Sequence, residues 1–465
     1  MTDRLRTAAG QHLFAPLPRM LGGQRLDLLY GGFGLATLCS IVGVLYAFSV
    51  PPLQDYGDWT YQGYLLHRIL TFAPAPAMIK LWPVPNSITE VALALLGFVL
   101  SPIAAARAWI VVYLLAAFII MAFASRDHEG RVSGAKLLLL IGLGVAHAPF
   151  WTGEINYQVG LLLLVLYVIL CSRDRDPGLV FFGVYAVVMF FCHGLCLGML
   201  LVYEGWRSLR KGRVVRLGLA ILPVILLAIW YKTMDPRTEL ATLDTMPHLL
   251  GIKDVIGYFV YQVAKTGPYH NFFFDGMGDY QRAPILYWAG SVANLAFAGC
   301  MGVLFLSWIR GSWRDPSCRT ELLTALTFIL LAAVNPSGSL GIANTGERLI
   351  APALILAVIS VERRTIAQYA GASLMMLSAM VFIWFGVAAT RVPSAGAVPS
   401  NGIVSDPSER FHVLFWHKTF QFAPQAEAAE RAWASGTVPT SPIAFETSLL
   451  LRKPATGPAI AQAQK

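Results

Sequence analysis

The chain has 465 residues, of which 56% are hydrophobic and 13% are charged, and its mean hydropathy is +0.60. These values lie well outside the usual range of soluble domains and identify the bilayer as the solvent of this protein. The formal net charge of +9 does not indicate nucleic-acid binding, because Lys and Arg fall in short groups between apolar runs. The six cysteines form no CxxC motif and no ladder of paired spacings, so they indicate neither a disulfide framework nor a zinc site.

The apolar runs predict an all-α membrane protein, a polytopic bundle of about 11 transmembrane helices, because a spanning helix needs about 20 apolar residues and fewer inside a bundle. The stretch that ends at Arg25 is basic, and the run that follows is long for a signal-peptide core, so it is interpreted as an uncleaved first helix. In chain order the predicted spans are 28–50, 104–124, 135–151, 157–172, 178–191, 195–207, 214–232, 284–309, 321–335, 348–362 and 365–390.

The distribution of positive charge sets the predicted topology. The span ends that are rich in Lys and Arg all fall on one side of a bacterial inner membrane if the N-terminus is cytoplasmic and the C-terminus is periplasmic. This arrangement gives a cytoplasmic segment at 1–27 and a transmembrane domain at 28–390 with long outer loops at 51–103 and 233–283. The tail at 391–465 is then periplasmic, and its Pro, Gly and Ser content and low-complexity end predict partial disorder.

One apolar stretch, 88–103, competes with this topology. A crossing there would move the basic loops near 126 and 173 to the outside. We therefore expect a juxtamembrane or half-inserted helix that ends at Ser101-Pro102, since proline disfavours helix at the residue before it.

A break is also predicted between the fifth and sixth spans, each of which is short for a crossing. The sequence FFCHGLC places the polar His193 and the flexible Gly194 between them. The two spans are expected to form a bent hairpin, whose irregular backbone is tolerated at membrane depth only against protein or a wet cavity.

The first outer loop opens with two acids among aromatic residues. In SVPPLQDYGDWTYQ, Asp55 and Asp58 stand beside Tyr56 and Trp59. A carboxylate can remove a proton from an acceptor hydroxyl, and aromatic rings can form a wall for a sugar. The competing interpretation is that these acids bind backbone amides in an ordinary turn.

Two basic residues follow in the same loop. His67 and Arg68 in YLLHRIL would lie about three turns beyond the acids if the segment is helical. They are candidates for substrate contact, although a structural role is favoured for both.

Further ionisable residues lie at predicted outer ends of spans. Glu154, in WTGEINYQ, is a candidate to assist the base, orient the acceptor or hold a cation, with a helix N-terminal carboxylate as the alternative. Arg348 and Arg107 could each contact a lipid phosphate or simply anchor a helix at the interface, and Glu347 could pair with another cation. His193 is a candidate contact for the phosphate of a lipid-linked sugar donor, and the alternative is a role in packing.

The densest polar and aromatic cluster outside the first loop is PYHNFFFDGMGDYQR in the long outer loop 233–283. Its candidate substrate-binding residues are Tyr269, His270, Asp279 and Arg282. Such a cluster is typical of a lid or an acceptor surface.

The layout resembles the GT-C superfamily of polytopic glycosyltransferases. The features that carry the resemblance are Asp55 and Asp58 in a long first outer loop, Arg107 in AAARAW, Glu154 in APFWTGEINYQVGLLLL, and the bent hairpin at His193-Gly194. The first loop and the Glu154 segment are also similar to bacterial membrane proteins of unassigned function that carry a PPLxDYPxH-like entry and a GxxNYxxGL segment. Here the entry reads PPLQDYGDW, without that proline and histidine, and His193 stands where the superfamily often has a lysine beside glycine.

The resemblance implies an enzyme that uses lipid-phosphate sugars at the outer leaflet. It implies that Asp55 or Asp58 is the general base and that the anomeric centre inverts in a single displacement. The expected partners are membrane lipids, a polyprenyl-phosphate-linked sugar and a glycan, lipid or protein acceptor, with a divalent cation, Mg²⁺ or Mn²⁺, left open. The alternatives are a polysaccharide polymerase or O-antigen ligase, and a non-catalytic transporter or subunit of a polysaccharide assembly and export system.

Overall fold

The computed structural model describes much of the chain, and its helices and strands are numbered here in chain order. The described residues are 22–47, 53, 56–75, 77–127, 130–172, 178–234, 251–264, 266–267, 284–313, 318–334, 338–339, 342–343, 345–361, 365–389 and 449–452. The helices are α1 Gly22–Ala47, α2 Tyr56–Leu70, α3 Ile88–Leu96, α4 Pro102–Ala124, α5 Gly134–Gly144, α6 Ala148–Trp151, α7 Ile155–Ser172, α8 Leu179–Cys192, α9 Gly194–Arg210, α10 Val214–Met234, α11 Ile252–Ala264, α12 Pro284–Ser312, α13 Arg319–Val334, α14 Thr345–Ser360 and α15 Ile366–Ala389. The strands are β1 Ala77–Ile79, β2 Gly338–Ser339, β3 Ile342–Ala343 and β4 Leu450–Arg452.

The predicted spans and the observed helices coincide closely. Each predicted span is occupied by one helix, except 135–151, which is divided into α5 and α6. Among the described residues, four helices are apolar and long enough to cross a bilayer, within the ranges Arg25–Tyr46, Pro102–Ala124, Val214–Met234 and Val292–Ser312. The protein is therefore a helical membrane protein, as its composition predicted.

The segment 88–103 does not form one continuous helix. Helix α3 has nine residues, so it is about 14 Å long, against a hydrocarbon core of about 30 Å. Ser101 then begins the next helix: its hydroxyl accepts a hydrogen bond from the Ala104 amide at 3.4 Å, and Pro102 occupies the first helical position. The predicted helix end at Ser101-Pro102 is therefore wrong: α3 ends at Leu96, and the Ser101-Pro102 pair begins α4. That 88–103 does not cross the membrane stays a prediction.

Two helices form the centre of the bundle. Every residue of α5 is buried, and α14 is buried from Thr345 to Val358. Helices that are apolar on all sides need neighbours on all sides, and α14 packs against α13 and α5, while α5 packs against α1 and α15. In contrast, α10 buries only Ala220 and Val224, so one side packs against α8 and most of its surface faces outward. The buried α14 carries Glu347 and Arg348 in its first turn, which places two charges at the end of the core.

A small unit lies beside the bundle and is built mainly from the first predicted outer loop. Helices α2 and α3 pack against each other and against α4, and β1 pairs antiparallel with β4. Strand β4 comes from the predicted tail at 391–465. No local sequence pattern predicts its pairing with β1, because contacts such as that between Leu449 and Glu90 join residues 359 positions apart. The tail therefore returns to the first loop.

Candidate functional site

Glu154 and Arg348 form an ion pair between two helices that are distant in sequence. Nη2 of Arg348 donates a hydrogen bond to Oε1 of Glu154, and the two residues are 194 positions apart. The Arg348 side chain is 10% exposed and that of Glu154 is 21% exposed. A charge-assisted contact shielded in this way is stronger than one in water.

The position of Glu154 follows from a tight turn between α6 and α7. Gly153 has φ of +83°, a conformation that favours glycine, and the Glu154 amide donates to the Pro149 carbonyl at 3.0 Å. Helix α7 begins at the next residue, so the carboxylate lies where a helix N-terminus stabilises negative charge. Glu154 therefore stands at a helix N-terminus, as the alternative interpretation expected, and its carboxylate contacts a guanidinium rather than a metal ion.

Tyr157 and His193 complete the surroundings of this ion pair. The Tyr157 hydroxyl donates to the Arg348 carbonyl at 2.8 Å, and the guanidinium carbon of Arg348 lies 5.8 Å from the Tyr157 ring centroid. The rings of Tyr157 and His193 meet edge to face with centroids 5.4 Å apart. Helix α7 can approach α9 this closely because residue 160 is glycine: a Cβ there would lie 2.8 Å from Cys196.

His193 lies in the turn between α8 and α9, outside both helices. Its Nδ1 accepts a hydrogen bond from the Leu195 amide at 3.2 Å and so caps the start of α9. Burial lowers the pKa of His193 from 6.5 to about 3, and the positive charge of Arg348 acts in the same direction. His193 is therefore neutral at physiological pH and serves as a cap and a packing partner of Tyr157.

Asn86 joins the first-loop unit to this cluster. Its φ is +64°, a left-handed conformation that asparagine tolerates better than most residues. Its backbone carbonyl accepts from Nδ2 of Asn156 at 2.5 Å, and its side-chain oxygen accepts from the Gly194 amide at 3.3 Å. Oδ1 of Asn156 in turn accepts from the Thr89 amide at 2.9 Å. Sequence reasoning missed Asn86 and Asn156, for which the only signals were a turn-forming residue type and proximity to Glu154.

A buried polar group lies one helical turn beneath the ion pair. The Gln158 amide group lies 2.7 Å from the Tyr113 hydroxyl and 2.5 Å from Nε2 of His147. All three side chains are buried. Such a satisfied network fixes the rotamers of α7 beneath Glu154.

The structure describes the position of one of the two first-loop acids. Asp55 lies outside the described residues, and α2 begins at Tyr56, so Asp58 falls in the first turn of that helix. Tyr56 is 1% exposed, and its hydroxyl donates to the Ala106 carbonyl at 2.8 Å, which fixes α2 to α4. Trp59 is half-buried against the main core.

Three other predicted residues make contacts elsewhere. Arg107 lies near the start of α4 with its guanidinium carbon 5.2 Å from the ring centroid of Tyr46, at the end of α1. His67 meets Phe98 edge to face at 4.7 Å, and Arg68 lies 5.5 Å from the Tyr64 ring centroid. His67 and Arg68 thus each contact an aromatic ring, and substrate contact by either residue stays a prediction.

The remaining predictions concern the other outer loop and a metal. The residues Tyr269, His270, Asp279 and Arg282 lie outside the part of the chain that the structure describes. Glu347 is described and is 9% exposed beside Arg348. Within the described ranges, no three His, Cys, Asp or Glu side chains come together as a metal-binding group.

A second buried charged cluster lies at the opposite end of α9, about 21 Å beyond His193 at 1.5 Å per residue. Nη1 of Arg207 donates to both carboxylate oxygens of Glu204 at 3.2 and 3.1 Å, and the Tyr167 hydroxyl donates to the same carboxylate at 3.0 Å. The Tyr203 hydroxyl donates to Glu321 at the start of α13 at 3.1 Å. This cluster ties α7, α9 and α13 together.

The comparisons with known proteins identify no relative. No family model, no curated protein and no solved structure matches the chain. The resemblance to the GT-C superfamily therefore rests on sequence features alone.

Proposed function

We propose that this protein is an integral-membrane glycosyltransferase of GT-C type, which transfers a sugar from a polyprenyl-phosphate donor to a glycan, lipid or protein. The observation that carries the proposal is the buried contact between Glu154 and Arg348. It brings an acid and a cation from distant segments to one end of the helical bundle, where a lipid-linked phosphate can be held.

Arg348 is the proposed donor-phosphate contact. A guanidinium has five N–H donors in a planar fork, so it can hold a carboxylate on one side and a phosphate on another. Glu154 is then the residue that positions the guanidinium, rather than the base. His193 and Tyr157 pack beside Arg348 and exclude water, which strengthens its interaction with the leaving phosphate.

The proposed general base is Asp55 or Asp58 in the first loop. The carboxylate takes the proton of the acceptor hydroxyl, and the resulting oxygen attacks the anomeric carbon of the donor. The bond from that carbon to the phosphate oxygen breaks, the oxygen keeps the electron pair, and Arg348 binds the departing phosphate. One displacement of this kind inverts the anomeric centre.

A divalent cation has no defined place in this scheme. The described carboxylates of the site are Glu154 and Glu347, and Glu154 already contacts Arg348. No step is therefore assigned to a metal, and the effect of chelation on turnover tests whether one is needed.

The proposed topology has about eleven spans, with the N-terminus in the cytoplasm and the first loop and tail in the periplasm. The pairing of β1 with β4 supports it, since it requires residues 77–79 and 450–452 to lie on the same side of the membrane. The proposed compartment is the bacterial inner membrane.

The test is turnover of a polyprenyl-phosphate sugar by membranes that carry the double variant Asp55→Asn and Asp58→Asn. We expect turnover to fall by about 10²-fold or more, which is the usual scale for loss of a general base. Arg131→Gln is the control, because that side chain is 60% exposed and pairs with Asp127 on its own loop. Unchanged turnover in the double variant rejects the mechanism.

One observation favours transport as a second candidate. A charged contact between helices lies near each end of α9: Glu154–Arg348 at one end, and the hydrogen bond from Tyr203 to Glu321 of α13 at the other. Contacts of this kind between different helices could close a pathway alternately at either end. A transporter would retain movement of a lipid-linked glycan in the Asp55 and Asp58 double variant and lose it when either contact is broken.

A further inference from the structure

The C-terminal strand occupies the edge of the first-loop unit by backbone pairing. Residues 77–79 pair antiparallel with residues 450–452, with Met78 opposite Leu451. Beyond the ladder, the Lys80 amide donates to the Leu449 carbonyl at 2.7 Å. An extended segment added to a strand edge in this way gains affinity from its main chain.

One side chain of this segment, Leu450, enters a pocket of the first-loop unit and can make the pairing selective. Leu450 is fully buried, whereas its neighbour Leu451 is half-buried, as the alternation of a strand requires. The pocket that receives Leu450 is formed by α2, α3 and the connection between them. Its walls are Tyr61, Leu65, Leu66, Ala75, Ala77 and Ala94.

A buried acid fixes the start of the same segment. Oε2 of Glu90, in the first turn of α3, accepts from the Leu449 amide at 2.8 Å. Glu90 is fully buried, so its carboxylate depends on such contacts for solvation within the protein. The tail therefore contacts β1 and α3, the elements on either side of the loop that carries Asn86.

We propose that residues 449–452 are a strap that holds the first-loop unit, residues 56–96, in the position in which Asn86 braces the candidate site. The chain of contacts runs from Leu449 and Leu450 to β1 and α3, then through Asn86 and Thr89 to Gly194 and Asn156. The groove on this unit accepts an extended peptide with leucine at its buried position, and its occupant is this chain's own C-terminal segment.

The test is hydrogen exchange of the full-length protein in nanodiscs, with Leu450→Asp against Leu451→Asp. The reporters are the amides of Lys80, Thr89 and Gly194, which donate to Leu449, Asn156 and Asn86. We expect Leu450→Asp to speed exchange of all three by roughly tenfold or more, because the strap leaves its groove. Leu451→Asp should change them little, since its side chain is not in the pocket.

A synthetic peptide of sequence TSLLLRKP, residues 447–454, provides the rescue. Added to the Leu450→Asp protein, it should restore slow exchange at all three amides, and the same peptide with Asp at its second leucine should not. Faster exchange at Lys80 alone, with Thr89 and Gly194 unchanged, would show a local strand contact and overturn the proposal. So would equal effects of the two substitutions. The readout needs no enzyme activity, so its failure would leave the proposed function untouched.

Discussion

The two buried charged clusters of the bundle use the same residue types and are built in different ways. Glu204 and Arg207 are three residues apart on α9, so helical periodicity alone brings them together. Glu154 and Arg348 are 194 positions apart, and each stands where a helix begins. The first pair would form in any copy of that helix, whereas the second exists only when the whole bundle is assembled.

This difference separates a structural cluster, Glu204–Arg207, from the candidate functional site at Glu154–Arg348. The Glu204 carboxylate accepts hydrogen bonds from Arg207 and Tyr167, and the cluster joins three helices. The Glu154–Arg348 pair lies among turns and helix ends, where backbone amides and side chains can face a ligand. We therefore expect damage to the first cluster to reduce stability and damage to the second to reduce function.

The largest expected effect follows Arg348→Gln. Loss of the guanidinium should lower kcat/KM for the lipid-linked sugar by about 10²- to 10³-fold, the scale on which one group that stabilises developing charge contributes. Arg348→Lys should recover part of the loss, because a lysine keeps the charge without the planar fork. Steady-state turnover in nanodiscs measures both, and wild-type turnover in Arg348→Gln would remove Arg348 from the mechanism.

For the Glu204–Arg207 cluster we expect the reverse: a loss of stability without a loss of turnover. Arg207→Gln leaves the partly buried Glu204 without the guanidinium and with only its hydroxyl partners, and should lower the free energy of unfolding by about 2 kcal/mol. Turnover per folded molecule should stay near that of the wild type. Denaturant titration in detergent, together with turnover normalised to folded protein, separates the two quantities. A loss of turnover in Arg207→Gln at unchanged stability would show that this cluster has a functional role and would contradict the distinction between the two clusters.

His193 predicts a pH dependence of stability. Its folded pKa, about 3, is depressed by burial below the usual 6.5, so the unfolded chain binds more protons between these values. Stability should fall as the pH drops below about 6.5, by about 2 kcal/mol at pH 5 from this group. His193→Gln should flatten that dependence in melts at pH 5 and 7. An unaltered slope in the variant would show that His193 is not the group responsible.

Replacement of Asn86 by glycine has the smallest expected effect. Asn86→Gly keeps the left-handed backbone and removes the side-chain acceptor of the Gly194 amide, so it should cost about 1 kcal/mol of stability. Asn86→Ala should cost about 1–2 kcal/mol more, since alanine disfavours a positive φ. Thermal melts of the two variants separate the loss of the side-chain hydrogen bond from the cost of a positive φ. Equal melting temperatures would count against a backbone requirement at this turn.

The sequence predicted the elements well because apolar runs and helices have the same length scale. It also selected Glu154 and Arg348, because ionisable residues at predicted helix ends are rare in an apolar chain. It did not predict that they touch, since nothing in the local pattern of α7 or α14 refers to the other helix. Asn86 and the pairing of β1 with β4 were out of reach for the same reason: both depend on contacts between distant segments and on one turn conformation.

The most direct measurement is the affinity of polyprenyl phosphate for the protein in nanodiscs, compared between wild type, Arg348→Gln and Arg207→Gln. A site at the Glu154–Arg348 end predicts that Arg348→Gln weakens binding by about tenfold or more, the scale of one charged hydrogen bond, while Arg207→Gln binds as the wild type does. Equal affinities for all three proteins, or equal losses in the two variants, would contradict the account.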